Sequence, residues 1–124
     1  MRVFKTKPFA RFAKREAIGD GDLCEAIARA NAGLIDAHLG GGVIKQRIAR
    51  KGEGKSGGFR SIVLFRRGTA AFFVYGFAKR DRDNIRADEL RAFRKLADEM
   101  LNLGDEALEA AVRNGTITEI ECRG

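Results

Sequence analysis

The middle of the chain contains three β-rich segments whose close spacing constrains the fold more than any other feature. They cover residues 43–49, 59–66 and 70–78 (VIKQRIA, FRSIVLFR and AAFFVYGFA) and are rich in β-branched and aromatic residues. Turn-like sequence separates them, including Arg67-Gly68-Thr69. Gaps this short fit antiparallel neighbours, because a parallel pair needs a crossover of about a dozen residues or more. The sequence therefore predicts a three-stranded antiparallel meander.

Helical patterns lie on both sides of this meander. Before it, a candidate strand over 2–5 is followed by two stretches of apolar residues at helical spacing, which end near Gly19 and Gly33. After it, the expected elements are a long helix over about 86–102, a short helix over 105–114 and a strand over 116–122. We expect an α+β fold in which an N-terminal strand and an αα-hairpin pack on the meander, with C-terminal helices added. The helices are expected on one face of an antiparallel sheet.

The length of 124 residues fits one domain with a modest core. We expect residues 1–124 to form that domain, with a core over 1–102 and a C-terminal helix–strand extension over 103–124. No apolar run approaches the roughly 18 residues of a membrane span, and no apolar segment follows the basic N-terminus, so a cytoplasmic protein is expected. Cys24 and Cys122 lack metal-ligand spacing, and we expect them to be two reduced thiols.

The segment GEGKSGG, residues 52–58, looks at first like the phosphate-binding loop of a nucleotide-binding protein. A Walker A loop requires a glycine five residues before its Gly-Lys-Ser, and that position holds Ala49. It also requires a helix after the loop, whereas residues 59–65 have the pattern of a strand. We therefore expect no nucleotide cofactor.

The charge distribution indicates a polyanion as partner. The chain carries 24 Lys and Arg against 17 Asp and Glu, a net charge of +7. Residues 45–82 contain eleven of these cations and only two acids, Glu53 and Asp81. Three of the cations lie in the glycine-rich loop: Arg50, Lys51 and Lys55. One interpretation is that the glycines let this loop bind phosphates without sequence preference. The alternative is that it is an ordinary long hairpin loop.

Four of the cations are predicted to meet on neighbouring strands. The two-residue period of a strand places Lys45 and Arg47 on one face, about 7 Å apart. Arg60 begins the next strand and Lys79 follows the third. A meander can bring these four side chains into one concave patch, whose mutual repulsion an anion would relieve; a solvated charged face is the alternative.

Such a cluster supports chemistry without paired acids, because RNA carries its own nucleophile, the 2′-OH beside the scissile phosphate. Cleavage needs activation of that oxygen, stabilisation of the charge on phosphorus and a proton for the departing 5′-oxygen. Lysine and arginine can provide the last two, and a lysine whose pKa is lowered by neighbouring cations can provide the first. The single histidine, His38, excludes a two-histidine ribonuclease. No Asp/Glu/His cluster indicates a metal site, so no cofactor is expected.

Two motifs extend this interpretation to a family. The stretch GG-x-IKQRIA-x-x-G-x-GKSGGFR covers residues 41–60, and F-x-YGFAK-x-x-x-DNI covers residues 73–85. Together with the order of strand, two helices and meander, they resemble the RelE/ParE superfamily of bacterial toxins, and most closely its RelE/HigB-type branch. The resemblance covers residues 1–102 in topology and is specific over 41–97.

The resemblance implies translation-dependent cleavage of mRNA in the ribosomal A site. Lys45 and Arg47 match the family's Lys-x-Lys on the first meander strand. Arg60 matches its arginine after an aromatic residue, and Lys79 matches its basic residue near the end of the last strand. These four are the catalytic residues that the resemblance implies, with Arg80 as a shifted candidate for the last one.

The family's C-terminal catalytic tyrosine has no counterpart, because its position holds Ile85. Tyr75 is expected either to substitute for it or to have a role in the core or on the sheet face. The residues expected to contact RNA are Arg50, Lys51, Lys55, Tyr75, Arg80 and Arg82.

The expected partners are the ribosome, mRNA and a cognate antitoxin, often a helix-turn-helix protein, that covers the patch. The acidic residues after position 83 form either the outer face of packed helices or part of that contact. Sibling ParE-type proteins inhibit DNA gyrase on the same fold, so a non-catalytic gyrase inhibitor is an alternative. A nucleic-acid-binding regulator without catalysis is another, and it would show strongly salt-dependent binding. The triplet of Lys45, Arg47 and Arg60 favours the ribonuclease over the gyrase inhibitor.

Overall fold

The computed structural model of the protein describes residues 1–49 and 58–122. This part of the chain forms an α+β fold, so the predicted fold class is confirmed. Its strands are β1 (Arg2–Thr6), β2 (Ala37–Gly40), β3 (Val43–Ile48), β4 (Phe59–Arg66), β5 (Ala70–Ala78) and β6 (Ile117–Ile120). Its helices are α1 (Lys7–Arg15), α2 (Asp20–Asn31), α3 (Ala87–Met100) and α4 (Asp105–Arg113).

The strands form one mixed sheet in the order β2-β3-β4-β5-β1-β6. Its centre is the predicted antiparallel meander, in which β3 pairs with β4 and β4 pairs with β5. The prediction that the whole sheet is antiparallel is wrong, because β1 runs parallel to β5 and lies between β5 and β6. Two helices and three strands separate β1 from β5 along the chain, and a connection of that length permits a parallel pair.

The edge strand β2 is absent from the sequence prediction. It contains only four residues, AHLG, with little β-propensity, and it pairs with β3 through an irregular register. Ala37 at its beginning lies opposite Lys45. The residues of β3 that follow Lys45, including Arg47, therefore lie past the start of β2 in the register.

Helices cover both faces of the sheet, which corrects the prediction of a single covered face. One core cluster packs α1 and α2, through residues such as Phe9 and Leu23, against the sheet. A second cluster packs α3 and α4, through Ala97 and Leu108, against the other face. The reason is visible in β4 and β5, where nearly every position is buried, so both faces need a cover. In the described part of the chain, no helix is long and apolar enough to cross a membrane.

Helix α1 approaches the sheet most closely at Gly76 of β5. A Cβ atom added at Gly76 would lie 2.4 Å from the ring of Phe12. That ring is buried and meets Phe59 edge-on, with 5.7 Å between the ring centroids. A residue without a side chain at position 76 therefore allows α1 to lie flat against the meander.

The two cysteines form a disulfide, which makes the prediction of two reduced thiols wrong. Cys24 of α2 and Cys122, just after β6, are bonded, with 5.5 Å between their Cα atoms. They are 98 residues apart in sequence, and the fold brings them together because β6 lies beside β1 on the side of the sheet where α2 packs. That proximity depends on the position of β6, which spacing in the sequence does not reveal.

Candidate functional site

Three of the four predicted catalytic cations lie together at one end of the meander, and we call Lys45, Arg47 and Arg60 the basic cluster. Arg47 of β3 lies directly opposite Arg60 of β4 in the register. Lys45 precedes Arg47 by two residues, so its side chain leaves the same face of the sheet. This is the face that α3 and α4 cover elsewhere, since the neighbouring Ile62 and Phe77 belong to their core cluster.

The orientation of the Arg47 backbone brings the side chains of Arg47 and Arg60 into the closest type of cross-strand pair. The Arg47 N–H donates to the Asp36 carboxylate, with an N···O distance of 2.6 Å. The Arg47 carbonyl accepts from the Arg29 guanidinium at 2.5 Å. Both polar backbone groups thus point away from β4, so Arg47 and Arg60 form a pair of the non-hydrogen-bonded type, in which side chains approach most closely.

Arg47 and Arg60 carry like charges at facing positions of two strands, so their guanidinium groups repel each other. Burial is the main cause that lowers the pKa of the Arg60 guanidinium, and the charge of Arg47 lowers it further. The carboxylate of Asp36 acts in the opposite direction. A site that holds two like charges together in a partly buried position favours a bound anion, because the anion neutralises both.

Asp36 is a functional candidate that sequence reasoning missed. One carboxylate oxygen lies 3.7 Å from the Arg47 guanidinium, and the other lies 3.8 Å from that of Arg29. Asp36 comes just before β2, so its position beside Arg47 follows from the pairing of β2 with β3. Without that pairing, no feature of the sequence indicates this contact.

The floor beside the basic cluster is aromatic and is held by Arg82. The Arg82 guanidinium lies 5.6 Å from the ring centroids of both Tyr75 and Phe77. It donates to the Tyr75 hydroxyl at 2.8 Å and pairs with Glu89 of α3 at 2.7 Å. This pairing lowers the pKa of Glu89 to about 2. Tyr75 and Arg82, which are both predicted to contact RNA, are thus hydrogen-bonded to each other.

The segment between β5 and α3 connects this floor to the basic cluster. Arg82 Nε donates to the Asn84 carbonyl at 2.9 Å. The side-chain oxygen of Asn84 accepts from the Ile85 N–H at 2.9 Å and from Lys45 Nζ at 3.4 Å. Asn84 is a second candidate that the sequence analysis did not single out. Ile85 packs against the core cluster of α3 and α4.

The remaining predicted site residues follow β5 or lie outside the described part. Lys79 is exposed just after β5, and its N–H donates to the Gly58 carbonyl at 3.5 Å. The Arg80 guanidinium lies 4.0 Å from Glu16, at the end of α1, and is therefore not brought together with Arg60. Three predicted RNA contacts lie outside the described residues: Arg50, Lys51 and Lys55.

The three side chains of the basic cluster are cations, and Asp36 is the acidic group that the structure places beside them. Among residues 1–49 and 58–122, no group of three His, Cys, Asp or Glu side chains is placed to hold a metal ion. His38 pairs with Ile44, whose side chain is in the core cluster of α1 and α2, so it leaves the opposite face from Lys45. The cluster can bind an anion and stabilise additional negative charge on it, and arginine suits the tetrahedral oxygens of phosphate in particular.

Comparison with known proteins assigns the family. A family model described as the RelE toxin of the RelE/RelB toxin–antitoxin system matches residues 1–120. A search of curated proteins found no match. The family match does not distinguish the HigB-type branch, which stays a prediction. Because the match spans nearly the whole chain and agrees with its α+β fold, the chain belongs to the RelE family, the toxins of toxin–antitoxin systems, and its partner is a cognate antitoxin.

Proposed function

We propose that this toxin is a metal-independent endoribonuclease that cleaves mRNA on the ribosome and so inhibits translation. The observation that supports the proposal is the direct pairing of Arg47 with Arg60, with Lys45 beside them on the same face. Two guanidinium groups and one ammonium group within reach of a single phosphate suit a reaction in which charge accumulates on that phosphate.

In the proposed reaction the RNA supplies the attacking oxygen. The 2′-oxygen bonds to phosphorus, and the bond to the 5′-oxygen of the next nucleotide breaks, leaving a cyclic phosphate and a free 5′-hydroxyl. The proton lost by the 2′-OH is replaced by one delivered to the 5′-oxygen, so no co-reactant is consumed. The intermediate carries more negative charge on its phosphoryl oxygens than the substrate does, and donors already in place stabilise it selectively.

Arg60 is assigned the central role in stabilising that charge. Its guanidinium is partly withdrawn from water, where each interaction with an anion is stronger. Arg47 lies opposite and shares the phosphate, and Lys45, near Asn84, orients or activates the 2′-OH. Lys79 is assigned to the leaving oxygen or to the adjacent phosphate, which suits an exposed residue beyond the end of β5.

The predicted RNA contacts divide into two groups under this proposal. Arg50, Lys51, Lys55 and Arg80 are assigned to phosphates outside the scissile one, where cations give affinity without sequence preference. Tyr75 is assigned to the floor under the nucleotide, and Arg82 acts through Tyr75 and Asn84, to which it is bonded. The proposed helix-turn-helix antitoxin would then prevent RNA from reaching the basic cluster.

The test uses purified toxin, ribosomes programmed with a defined mRNA, and primer extension to map the cut. Arg60→Ala is expected to reduce the cleavage rate about 100-fold or more, the usual effect of removing one preorganised donor to a charged intermediate. Arg91→Ala is the matched control, because Arg91 is an exposed residue of α3 and its loss removes the same charge. That control should cleave within about twofold of the unaltered toxin.

Three further measurements decide between the possible outcomes. A 2′-deoxy nucleotide at the cut site should abolish cleavage, because the proposed nucleophile is gone. The same mRNA without ribosomes should survive. Cleavage by Arg60→Ala at the unaltered rate, with its fold verified by circular dichroism, would remove Arg60 from the mechanism. Growth arrest with DNA breaks and intact mRNA would instead favour the gyrase inhibitor.

A further inference from the structure

We propose that Asp36 is a positioning residue of the phosphate site: it fixes Arg47 opposite Arg60 and keeps the two guanidinium groups together until a phosphate takes over. The inference rests on the proposed function in one respect only, the use of the basic cluster to bind phosphate.

The need for such a residue follows from where β2 lies. Ala37 at the start of β2 pairs with Lys45, so the chain has turned away from β3 by the level of Arg47. The N–H and carbonyl of Arg47 point to the side where β2 would continue, and side chains rather than a strand form their hydrogen bonds. Asp36 accepts the Arg47 N–H at 2.6 Å, and Arg29 of α2 donates to the Arg47 carbonyl at 2.5 Å.

Asp36 can do this because its own backbone is anchored in the core. Its N–H donates to the side-chain oxygen of Gln46 at 3.0 Å. Gln46 is fully buried, and its amide nitrogen donates to the carbonyls of Ala26 and Leu34, each at 3.0 Å. A buried amide with all of its partners satisfied is a rigid support, so the Asp36 carboxylate is held at a fixed place beside Arg47.

The electrostatic part of the proposal follows from the distance between the charges. The Asp36 carboxylate lies 3.7 Å from the Arg47 guanidinium, which is within ion-pair range and longer than a good charge-assisted hydrogen bond. Such a contact offsets repulsion between Arg47 and Arg60 in the free protein. At this length the contact with Asp36 is weaker than a short charge-assisted hydrogen bond, so a phosphate competes with it more easily.

Two substitutions separate the two parts of this role. Asp36→Asn removes the charge but keeps an oxygen that can accept the Arg47 N–H. Asp36→Ala removes both. If the carboxylate competes with phosphate for Arg47, Asp36→Asn should bind inorganic phosphate about threefold to tenfold more tightly. If Asp36 also positions Arg47, Asp36→Ala should lose this gain and lower kcat for RNA cleavage about tenfold or more, with Asp36→Asn retaining most of kcat.

The experiment titrates the purified toxin with inorganic phosphate and follows the Nε–H signals of Arg47 and Arg60 by NMR, alongside ribosome-dependent cleavage. The control pair is Asp20→Asn and Asp20→Ala. Asp20 pairs with Lys5 at 2.9 Å, away from the cluster, so its loss removes the same charge and an ion pair. These controls should leave phosphate affinity and kcat within about twofold of the unaltered toxin.

Each outcome of the phosphate titration and the cleavage assay leads to one conclusion. Tighter phosphate binding by Asp36→Asn, with kcat lost only in Asp36→Ala, supports the proposal. The proposal is overturned if the Asp36 variants have the same phosphate affinity and kcat as the Asp20 variants. It is also overturned if both Asp36 variants lose activity only in proportion to their loss of folded protein. If Asp36→Ala does not fold, the phosphate affinity of Asp36→Asn decides alone. Unaltered toxin that binds phosphate at Arg47 and Arg60 but leaves mRNA intact refutes the proposed function and not the role of Asp36.

Discussion

The ion pair between Glu89 and Arg82 gives the most direct quantitative test of how the floor of the site is held. Glu89 is the third residue of α3, and its carboxylate accepts from the Arg82 guanidinium at 2.7 Å. The same oxygen accepts from the Arg86 N–H at the start of the helix, also at 2.7 Å. Glu89 therefore both caps α3 and fixes Arg82 over Tyr75 and Phe77. We predict the effect of Glu89→Gln, which removes the charge and keeps an acceptor for the cap.

The magnitude follows from the pKa of Glu89, which Arg82 and the Arg86 N–H lower from 4.5 to about 2. A difference of that size corresponds to roughly 3 kcal/mol of folding free energy when the carboxylate is fully ionised. Water reaches 19% of the Glu89 side chain and 25% of that of Arg82, and the glutamine retains one hydrogen bond. We therefore expect Glu89→Gln to lower the free energy of unfolding by about 1–2 kcal/mol at pH 7.

The pH dependence has a definite sign. Because the pKa of Glu89 is lower in the folded protein than in the unfolded chain, its contribution is complete above about pH 4.5. It is lost as the pH falls through about 2. The difference between the unaltered toxin and Glu89→Gln should therefore be constant from pH 7 to pH 5 and shrink steadily below that.

Urea denaturation followed by far-ultraviolet circular dichroism measures this difference, and the absence of tryptophan makes that signal preferable to fluorescence. The control is Glu99→Gln, an exposed residue of the same helix, which should change stability by less than about 0.5 kcal/mol. A destabilisation by Glu89→Gln that is as large at pH 3 as at pH 7 would show that packing or capping, rather than the charge, is responsible. No destabilisation at pH 7 would refute the pairing altogether.

Two further predictions concern packing and the disulfide. Gly76→Ala should cost about 1–3 kcal/mol in urea denaturation, because its methyl group meets the Phe12 ring, whereas Gly21→Ala, with open space around it, should be neutral or slightly stabilising. Unchanged stability of Gly76→Ala would mean that α1 does not lie this close to the sheet. Replacing Cys24 and Cys122 with serine should lower the free energy of unfolding by about 2–4 kcal/mol and make the melting temperature independent of reductant. A melting temperature of the unaltered toxin that reductant leaves unchanged would argue against the bond.

The meander could be predicted from the sequence because its determinants are local. Strand propensity and short turns specify β3, β4 and β5 almost to the residue. The two covered faces are also indicated by the apolar runs at 62–65 of β4 and 70–78 of β5, but a pattern without alternation does not predict which helix covers which face. The parallel placement of β1 and the disulfide depend on contacts between distant parts of the chain, which no local pattern records.

The candidate site divides in the same way. Alternation along β3 correctly placed Lys45 and Arg47 on one face, while the pairing of Arg47 with Arg60 required a register between strands. Asp36 and Asn84 could not be predicted from the sequence, because each joins the site through a hydrogen bond to a residue distant in sequence. The charge of Arg82 predicts a contact with RNA, which stays a prediction, whereas its hydrogen bonds to Glu89 and Tyr75 depend on the fold.

The insertion of β1 between β5 and β6 has a consequence for the order in which a newly made chain becomes complete. The strands of the basic cluster are consecutive, so they can associate soon after synthesis. The first strand to be made must wait for residues 70–78 before it has a neighbour, and for residues 117–120 before it has two. Until then Phe4, which is buried in the finished sheet and stacks on Phe72, lacks the residues that cover it. The two edges of β1 thus gain their partners only late in synthesis, and unpaired strand edges are where partly folded chains tend to associate.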